Sequence, residues 1–332
     1  MANVDLQILG TGEFVPSRRV SSIEFDQRWS MPAGWTFEQT GVESRAFAGD
    51  NEDVVFMAVQ AAQEALTDAG LLATDIDAIV AVGSVPAQAI PCTAAFIHRA
   101  LGLSATGVAA FDINATCLGF IVALDVISAS IAIGRFRHVL IVASEIASAG
   151  LDWNNTATAG LFGDGAGAVV IGAARRKNSD LLATHLQTFS EGVEYCQVQS
   201  GGTKINPHTE LEKFIRGTYF EMKGRHTYRL ASKVLPEFLD TLMTRAGVLI
   251  SEIDIWIPHQ ASGLAIQHLQ RQLGLPPNKF AKTLATHGNQ ISASLPVALH
   301  RSCRHGLIKR GDLVVLIGTG AGLSVGGAVL RY

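Results

Sequence analysis

The sequence is poor in cysteine, in charge and in aromatic side chains. Its 332 residues include 4 cysteines, 17% charged residues and 7% aromatic residues, against 48% hydrophobic residues. The cysteines are scattered, with neither a C-x-x-C pair nor metal-ligand spacing, which argues against a disulfide scaffold and against a structural zinc site. Unpaired thiols fit a reducing compartment, so we expect a cytoplasmic protein.

The sequence also lacks a long uninterrupted apolar run. The most apolar stretch, residues 121–133, is broken by Asp125 and is too short to span a bilayer. Its first residues show neither the basic region nor the apolar region of a signal peptide. A formal net charge of −3 gives no general attraction to nucleic acid or to an anionic membrane. We therefore expect a globular, unexported protein that partners neither of them.

One of the few thiols stands at a predicted strand-to-helix turn. Cys117 ends the run 111–116 and is followed by Leu118-Gly119-Phe120 and a long apolar segment. The first N–H groups of a helix and the positive end of its dipole favour thiolate over thiol, which makes Cys117 a candidate nucleophile. Position alone leaves a buried structural cysteine open as the alternative.

Two later segments favour the nucleophile. His259 follows an apolar strand, and Asn289 begins a helical stretch just after His287. Cysteine, histidine and asparagine together form a set suited to thiol-based acyl transfer. The alternative is a metal site at the two histidines. Neither has a partner three to five residues on, and no carboxylate cluster accompanies them, so a structural role for His287 is favoured.

The chain carries signs of an internal duplication. Residues 65–77 resemble residues 242–254 at a separation of 177, and each segment predicts a helix closed by glycine, a short loop and an apolar strand. A second correspondence, at a separation of 172, pairs Cys117 with Asn289. Equivalent helix-opening positions in two halves can converge on one central site, although a symmetry confined to folding is the alternative.

Alternating helices and apolar strands predict parallel sheets covered by helices on both faces. The duplication places the boundary between two βα-rich halves within the segment 175–179. We predict a first half over residues 1–175 that carries the cysteine and a second half over residues 176–332 that carries the histidine and the asparagine.

The order and spacing of these three residues, with motifs spread from end to end, resemble the ketoacyl synthase III family of the thiolase fold. The remaining motifs are Leu9-Gly10-Thr11-Gly12, Trp35 with Thr40-Gly41-Val42, Phe162-Gly163-Asp164-Gly165-Ala166-Gly167-Ala168, Pro258-His259-Gln260-Ala261, His287-Gly288-Asn289 and Gly318-Thr319-Gly320-Ala321-Gly322. The resemblance implies an α/β fold with a layered α-β-α-β-α core, a homodimer, and no metal, nicotinamide or flavin cofactor. The glycine runs lead into strands, whereas a dinucleotide fingerprint leads into a helix.

The resemblance implies a role for each site residue. Cys117 is the nucleophile, His259 and Asn289 form the oxyanion hole for decarboxylation, and the backbone N–H groups of Cys117 and Ala321 form a second hole. The implied reaction is a ping-pong, decarboxylating Claisen condensation of a cysteine-bound acyl group with a malonyl-type or β-ketoacyl carrier thioester. An acyltransferase or thioesterase that uses the same cysteine without condensation is the alternative, and a non-catalytic scaffold is disfavoured by the complete set.

The sequence departs from the family at the substrate tunnel. Trp35 is retained, but the arginines that surround coenzyme A in housekeeping members fall on Gln39, Ala149 and Leu264. Loss of charge-assisted phosphate contacts disfavours coenzyme A, so we expect acyl carrier protein as donor as well as acceptor. Ile90 aligns with the residue that reaches into the partner subunit's acyl pocket, and an aliphatic side chain there suits a lengthened or branched acyl chain.

A basic stretch is the candidate docking surface for that acidic carrier. By alignment the docking residue is Arg229, and Lys223 and Arg225 precede it. An ordinary solvated helix is the alternative, because acidic residues intervene. The expected pathway is fatty-acid initiation or the synthesis of a secondary metabolite.

Overall fold

The computed structural model describes residues 4–174 and 179–332, so the predicted boundary at residues 175 and 176 lies outside the described residues. The strands in the described part are β1 (Leu6–Phe14), β2 (Arg18–Ser21), β3 (Ser44–Phe47), β4 (Ala78–Ala81), β5 (Ala109–Asp112), β6 (His138–Glu145), β7 (Gly165–Ala173), β8 (Asp180–Thr188), β9 (Cys196–Gln197), β10 (Glu221–Met222), β11 (Ile255–Pro258), β12 (Leu313–Gly320) and β13 (Ser324–Arg331).

The α-helices in the same part of the chain are α1 (Ser22–Arg28), α2 (Trp35–Thr40), α3 (Val54–Ala69), α4 (Thr93–Ala100), α5 (Gly119–Ala132), α6 (Thr156–Ala159), α7 (Leu211–Gly217), α8 (Gly224–Ala246), α9 (Gly263–Leu273), α10 (Leu284–His287) and α11 (Ser294–Arg304). Short 3₁₀ turns join several of them, including residues Thr116–Leu118 and Ile291–Ala293.

Two large sheets share the arrangement of four strands, and the first has β5 in addition. The first has the order β1-β7-β6-β4-β5 and the second has the order β8-β13-β12-β11. β4 runs parallel to β6 in the first sheet, and β11 runs parallel to β12 in the second. The next two strands in each sheet, β7 and β1 in the first and β13 and β8 in the second, are each antiparallel to the strand before them. The sheets are therefore mixed, and not parallel throughout as the alternation of helices and strands predicts. The duplication predicted from residues 65–77 and 242–254 is present in the strand order.

The two sheets and three helical layers form a sandwich. Helices α5 and α11 lie between the sheets, because α5 contacts both β6 and β13, and α11 contacts both β7 and β11. Helix α5 is apolar on most of its circumference, which is the pattern of a helix buried between two surfaces. Helix α3 covers the outer face of the first sheet, and α8 covers the second. This arrangement agrees with the predicted α-β-α-β-α core.

Glycine in β1 allows the outer helix to approach the sheet closely. A Cβ placed at Gly10 would lie 2.3 Å from the carbonyl oxygen of Ala65 in α3. The motif that contains Gly10 therefore packs a helix against a strand.

Candidate active site

The turn that carries Cys117 joins β5 to α5. Asn114 lies just after the strand, and its Oδ1 accepts a hydrogen bond of 3.0 Å from the Thr116 N–H. Thr116 takes a left-handed conformation with φ of 50°, and one 3₁₀ turn then leads directly into α5 at Gly119. This backbone places the thiol at the start of a buried helix, as the sequence predicts.

The turn that carries Asn289 has the same construction. Asn289 Oδ1 accepts a hydrogen bond of 2.9 Å from the Ile291 N–H, and Ile291 has φ of 50°. A 3₁₀ turn leads into α11 at Ser294.

The two turns correspond at a separation of 175, because Thr116 matches Ile291. The predicted separation of 172 instead fits the glycines that end the two helices, Gly134 and Gly306. The difference arises because α5 has 14 residues and α11 has 11. Asn289 is therefore the counterpart of Asn114, and Ser292 is the counterpart of Cys117.

The thiol of Cys117 is less acidic than the helix start predicts. Burial and, next, the nearby Glu145 carboxylate raise the pKa of the thiol to about 12. Hydrogen bonds from the backbone N–H groups of Cys117 and Ala321 act in the opposite direction but do not outweigh desolvation. This shift is opposite in direction to the one that the helix start predicts, and the residue that carries the thiol is half-buried.

His259 lies directly after β11 and is 5% exposed. Burial lowers its pKa to about 4, so the ring is neutral near pH 7. The backbone N–H of His259 donates a hydrogen bond of 2.7 Å to the carbonyl oxygen of Ile317 in β12. The next residue, Gly318, separates the histidine from the nucleophile turn, because a Cβ there would lie 2.8 Å from His259 Cβ and 3.3 Å from Leu118 Cδ2.

The side chain of Asn289 reaches the segment that carries the histidine. Its Nδ2 donates to the carbonyl oxygen of Ala261 at 3.3 Å, while the Ala261 N–H donates to the carbonyl oxygen of His259 at 2.8 Å. The amide keeps a second N–H for another acceptor. The structure thus brings the segments of Cys117, His259 and Asn289 to one place between the sheets.

Two residues near the site, Glu145 and Cys196, are absent from the sequence-based predictions. Glu145 ends β6 and is 1% exposed, and its Oε1 accepts hydrogen bonds from the Ser84 N–H at 2.6 Å and from Ser292 Oγ at 2.5 Å. Cys196, at the start of β9, is a further neighbour whose charged form would raise the pKa of Cys117. A signal for Glu145 exists in the sequence, since an acidic residue at the end of an apolar strand is unusual.

The predicted tunnel residues divide into two groups. Trp35 begins α2 and Leu264 lies in the first turn of α9, and these helices meet where a Cβ at Gly41 would lie 3.1 Å from Gly263 Cα. Leu264 is 62% exposed. Ile90 is 83% exposed in a loop on the side of β4 and β5, so its own chain does not bring it into contact with the site.

The predicted docking residues Lys223, Arg225 and Arg229 are exposed at the start of α8. The same turn of the helix contacts α9, because Tyr228 Oη lies 2.9 Å from His268 Nδ1. Among the described residues, none of the three basic side chains forms an ion pair. The basic turn is therefore adjacent to the helix that carries Leu264.

The alternative sites find less support. His287 is buried, burial lowers its pKa to about 4, and its Nδ1 lies 2.8 Å from Thr286 Oγ1 and 3.2 Å from the carbonyl oxygen of Thr283. Within residues 4–174 and 179–332, no group of three or more His, Cys, Asp or Glu could hold a metal. The glycine runs feed β7 and the β12–β13 turn. No helix in the described part of the chain has both the length and the apolar character for a bilayer crossing.

Two family profiles match the chain. The profile of 3-oxoacyl-[acyl-carrier-protein (ACP)] synthase III matches residues 111–190, which include Cys117, and the profile of its C-terminal part matches residues 243–332, which include His259 and Asn289. The β-ketoacyl-[acyl-carrier-protein] synthase III of Aquifex aeolicus is 35% identical over 329 residues, with 98% of this chain and 99% of that protein covered.

Solved structures agree with the sequence comparison. The crystal structure of 3-oxoacyl-[acyl-carrier-protein] synthase III from Aquifex aeolicus matches with a TM-score of 0.89 and 33% identity, and covers 100% of both chains. The priming β-ketosynthase from the R1128 polyketide pathway matches with a TM-score of 0.88 and 29% identity over 99% of this chain and 96% of that one.

Proposed function

This chain belongs to the 3-oxoacyl-[acyl-carrier-protein] synthase III family, and from that premise we propose that it condenses a Cys117-bound acyl group with a malonyl-type carrier thioester. The fold is the thiolase fold of that family. The observation that supports the assignment of residues is the meeting of three segments: Gly318 packs between His259 and Leu118, and Asn289 Nδ2 donates to the carbonyl oxygen of Ala261. In this proposal residues 1–175 supply the nucleophile and residues 176–332 supply the other two groups.

The first half-reaction loads the cysteine. Cys117 Sγ attacks the carbonyl carbon of an acyl thioester, the new S–C bond replaces the bond to the carrier sulfur, and the thiol proton leaves on the carrier thiol. The N–H groups of Cys117 and Ala321 hold the oxyanion of the tetrahedral intermediate. Because burial raises the pKa of the free thiol, the resting thiol is neutral in this proposal, and charge develops as the thioester reacts.

The second half-reaction uses the other two side chains. Loss of CO₂ from the malonyl thioester leaves its electron pair as an enolate, whose oxygen needs two hydrogen-bond donors. The neutral His259 ring donates from Nε2 and the Asn289 amide donates its remaining N–H. The carbanion attacks the acyl carbonyl carbon, and the Cys117 thiolate leaves.

Acyl carrier protein is our proposed donor as well as acceptor. Gln39, Ala149 and Leu264 replace the arginines expected around coenzyme A, and all three are exposed. Unpaired Arg225 and Arg229 lie one helical turn apart beside α9 and offer charge complementarity to an acidic carrier. Trp35 and Leu264 are then the rim through which the carrier arm enters.

A homodimer is part of the proposal. The strand β5 is a partly exposed edge of the first sheet, and the loop that carries Ile90 lies beside it. In such a dimer Ile90 would line the acyl pocket of the partner subunit. The four cysteines are free thiols, which fits a reducing compartment such as the cytoplasm.

The test combines intact-mass analysis with CO₂ release. Wild-type protein and Cys117→Ala are incubated with matched acyl-coenzyme A and acyl carrier protein donors, and malonyl carrier protein is then added. We expect an acyl adduct on the wild type only, faster loading from the carrier protein, and CO₂ release coupled to a β-ketoacyl product. Acylation without CO₂ release would favour an acyltransferase or thioesterase, and equal loading by both donors would contradict the donor assignment.

A further inference from the structure

Glu145 is a buried carboxyl group that the proposed half-reactions do not use. It ends β6, and two segments on either side of the site hydrogen-bond to the same oxygen, Oε1. One donor is the backbone N–H of Ser84, which follows β4, and the other is the hydroxyl of Ser292, which follows Asn289 by three residues. A buried acceptor shared by two segments restricts both.

The Ser292 contact anchors the Asn289 turn. Ser292 is fully buried, and its hydroxyl bond to Glu145 Oε1 measures 2.5 Å. Within the same turn, the Ile291 N–H donates to Asn289 Oδ1 and the Gln290 N–H donates to Ser294 Oγ at 3.1 Å. The turn that orients the Asn289 amide is thus joined to β6 through Glu145, in addition to the bond from Gln290 Nε2 to the carbonyl oxygen of Asp164 and the backbone bonds of Asn289 with Leu161 and Gly163.

The Ser84 contact extends the chain of hydrogen bonds to the nucleophile turn. The carbonyl oxygen of Ser84 accepts a hydrogen bond of 3.3 Å from Asn114 Nδ2, and Asn114 Oδ1 accepts from the Thr116 N–H. Glu145 thus lies between the turn of Cys117 and the turn of Asn289, and it is joined to both.

We propose that Glu145 is a positioning residue that fixes the Asn289 amide, through Ser292, relative to the nucleophile turn. This inference rests on the proposed function, because it assigns Asn289 to decarboxylation. Positioning requires an acceptor at Oε1, and a glutamine carries an equivalent oxygen. If the Asn289 amide is displaced by about 1 Å, the rate of decarboxylation falls although the amide is still present.

The test separates the two half-reactions in Ser292→Ala, Glu145→Ala and Glu145→Gln. Acylation is followed by intact mass with the donor that loads the wild type fastest, and decarboxylation by CO₂ release from malonyl carrier protein. We expect Ser292→Ala to lower CO₂ release by about tenfold with acylation within about threefold. Glu145→Ala should lower CO₂ release by about a hundredfold, and Glu145→Gln should restore it to within about threefold.

Ser144→Ala is the matched control, since Ser144 precedes Glu145 and its buried hydroxyl bonds to the Val54 carbonyl oxygen on the opposite face of the strand. Three results would overturn the proposal. They are an equal loss of acylation and of CO₂ release in Ser292→Ala, a loss of CO₂ release in Ser144→Ala as large as in Ser292→Ala, and a Glu145→Gln variant as impaired as Glu145→Ala. If Glu145→Ala does not fold, Ser292→Ala decides alone. Asn289→Ala reports on the proposed function separately, because normal decarboxylation in that variant would contradict the role of Asn289 itself.

Discussion

The two halves of the molecule use the same backbone at the site and different side chains on it. In each half the side chain of an asparagine accepts a hydrogen bond from the backbone N–H two residues later, and that second residue has φ of 50°. A 3₁₀ turn then leads into a central helix. The second half repeats this geometry with Ser292 where the first half has Cys117. The duplication therefore supplies placement, and the side chains at a few equivalent positions decide the chemistry.

The comparison extends to the histidine. In the second sheet Pro258 pairs with Ile317, and the backbone N–H of the next residue, His259, donates to the carbonyl oxygen of Ile317. In the first sheet Ala81 pairs with Val142, and the backbone N–H of the next residue, Val82, donates to the carbonyl oxygen of Val142. Val82 is thus the counterpart of His259. The first half has the thiol and lacks the histidine, and the second half has the histidine and lacks the thiol. One complete site forms because the two turns meet between the sheets.

Exchanging the nucleophile between the halves should have the largest effect. In the double variant Cys117→Ser with Ser292→Cys, we expect acyl-adduct formation to fall by at least about a thousandfold, as for removal of other nucleophiles. The reason is that Ser292 is fully buried, and its side chain points to Glu145. Intact mass and peptide mapping measure the adduct. An adduct at position 292 would show that the turn alone suffices and would refute this asymmetry.

The two asparagines offer the next test. Asn289→Ala should lower decarboxylation by about a hundredfold to a thousandfold, because it removes the proposed donor to the enolate oxygen. Asn114→Ala should lower acylation by only about tenfold, because Asn114 orders the nucleophile turn through Thr116 and Ser84. CO₂ release and loading rates are measured on both variants. Equivalent profiles would mean that both asparagines serve only the fold of their turns.

Next to His259 the second half has a glycine, Gly318, where the first half has a residue with a side chain. Its counterpart opposite Val82 is Ala143. In Gly318→Ala the new Cβ would lie 2.8 Å from His259 Cβ, so we expect a shifted imidazole and about a hundredfold slower decarboxylation. Overpacking should also lower the free energy of unfolding by about 1 to 3 kcal/mol. Thermal denaturation and CO₂ release check both effects, and a variant with wild-type decarboxylation would contradict this reading of the glycine.

The pH dependence of thiol labelling tests the buried nucleophile. Because the pKa of Cys117 is raised to about 12, the thiolate fraction at lower pH should rise about tenfold for each pH unit. We expect the rate of iodoacetamide labelling to rise steadily from about pH 7 to pH 10, with no inflection from His259, whose pKa is lowered to about 4. Cys117→Ala corrects for labelling of Cys92, Cys196 and Cys303. A plateau near neutral pH would indicate a stabilised thiolate.

Much of this site could be predicted from the sequence because its residues stand at boundaries that local patterns define. Cys117 and Asn289 lie at helix starts and His259 follows an apolar strand, and the spacing of all three within glycine-rich motifs indicates the family. The layered fold followed from the resemblance to the family, and the comparisons confirm it, whereas the alternation of helices and strands alone predicted parallel sheets and missed the antiparallel strands.

Three features depend on tertiary burial or on element length and could not be predicted in this way. The pKa of Cys117 is set by desolvation, which the sequence around the turn does not report. The correspondence of the two turns depends on the lengths of the helices that follow them, 14 residues for α5 and 11 for α11. An alignment of two short segments does not determine where these helices end. Glu145 has no spacing motif, and its partners, Ser84 and Ser292, lie far from it in the chain.

The smallest expected effect concerns the proposed docking surface at the start of α8. Arg229→Ala removes one exposed, unpaired charge beside α9, so we expect the KM for acyl carrier protein to rise by about threefold to tenfold with an unchanged kcat. The effect should shrink as salt is raised, since exposed charges are screened. Lys213→Ala is the control, because Lys213 is exposed but paired with Glu210 at 2.8 Å. If both variants change KM equally, net charge and not the position of Arg229 governs carrier binding, and the docking surface lies elsewhere.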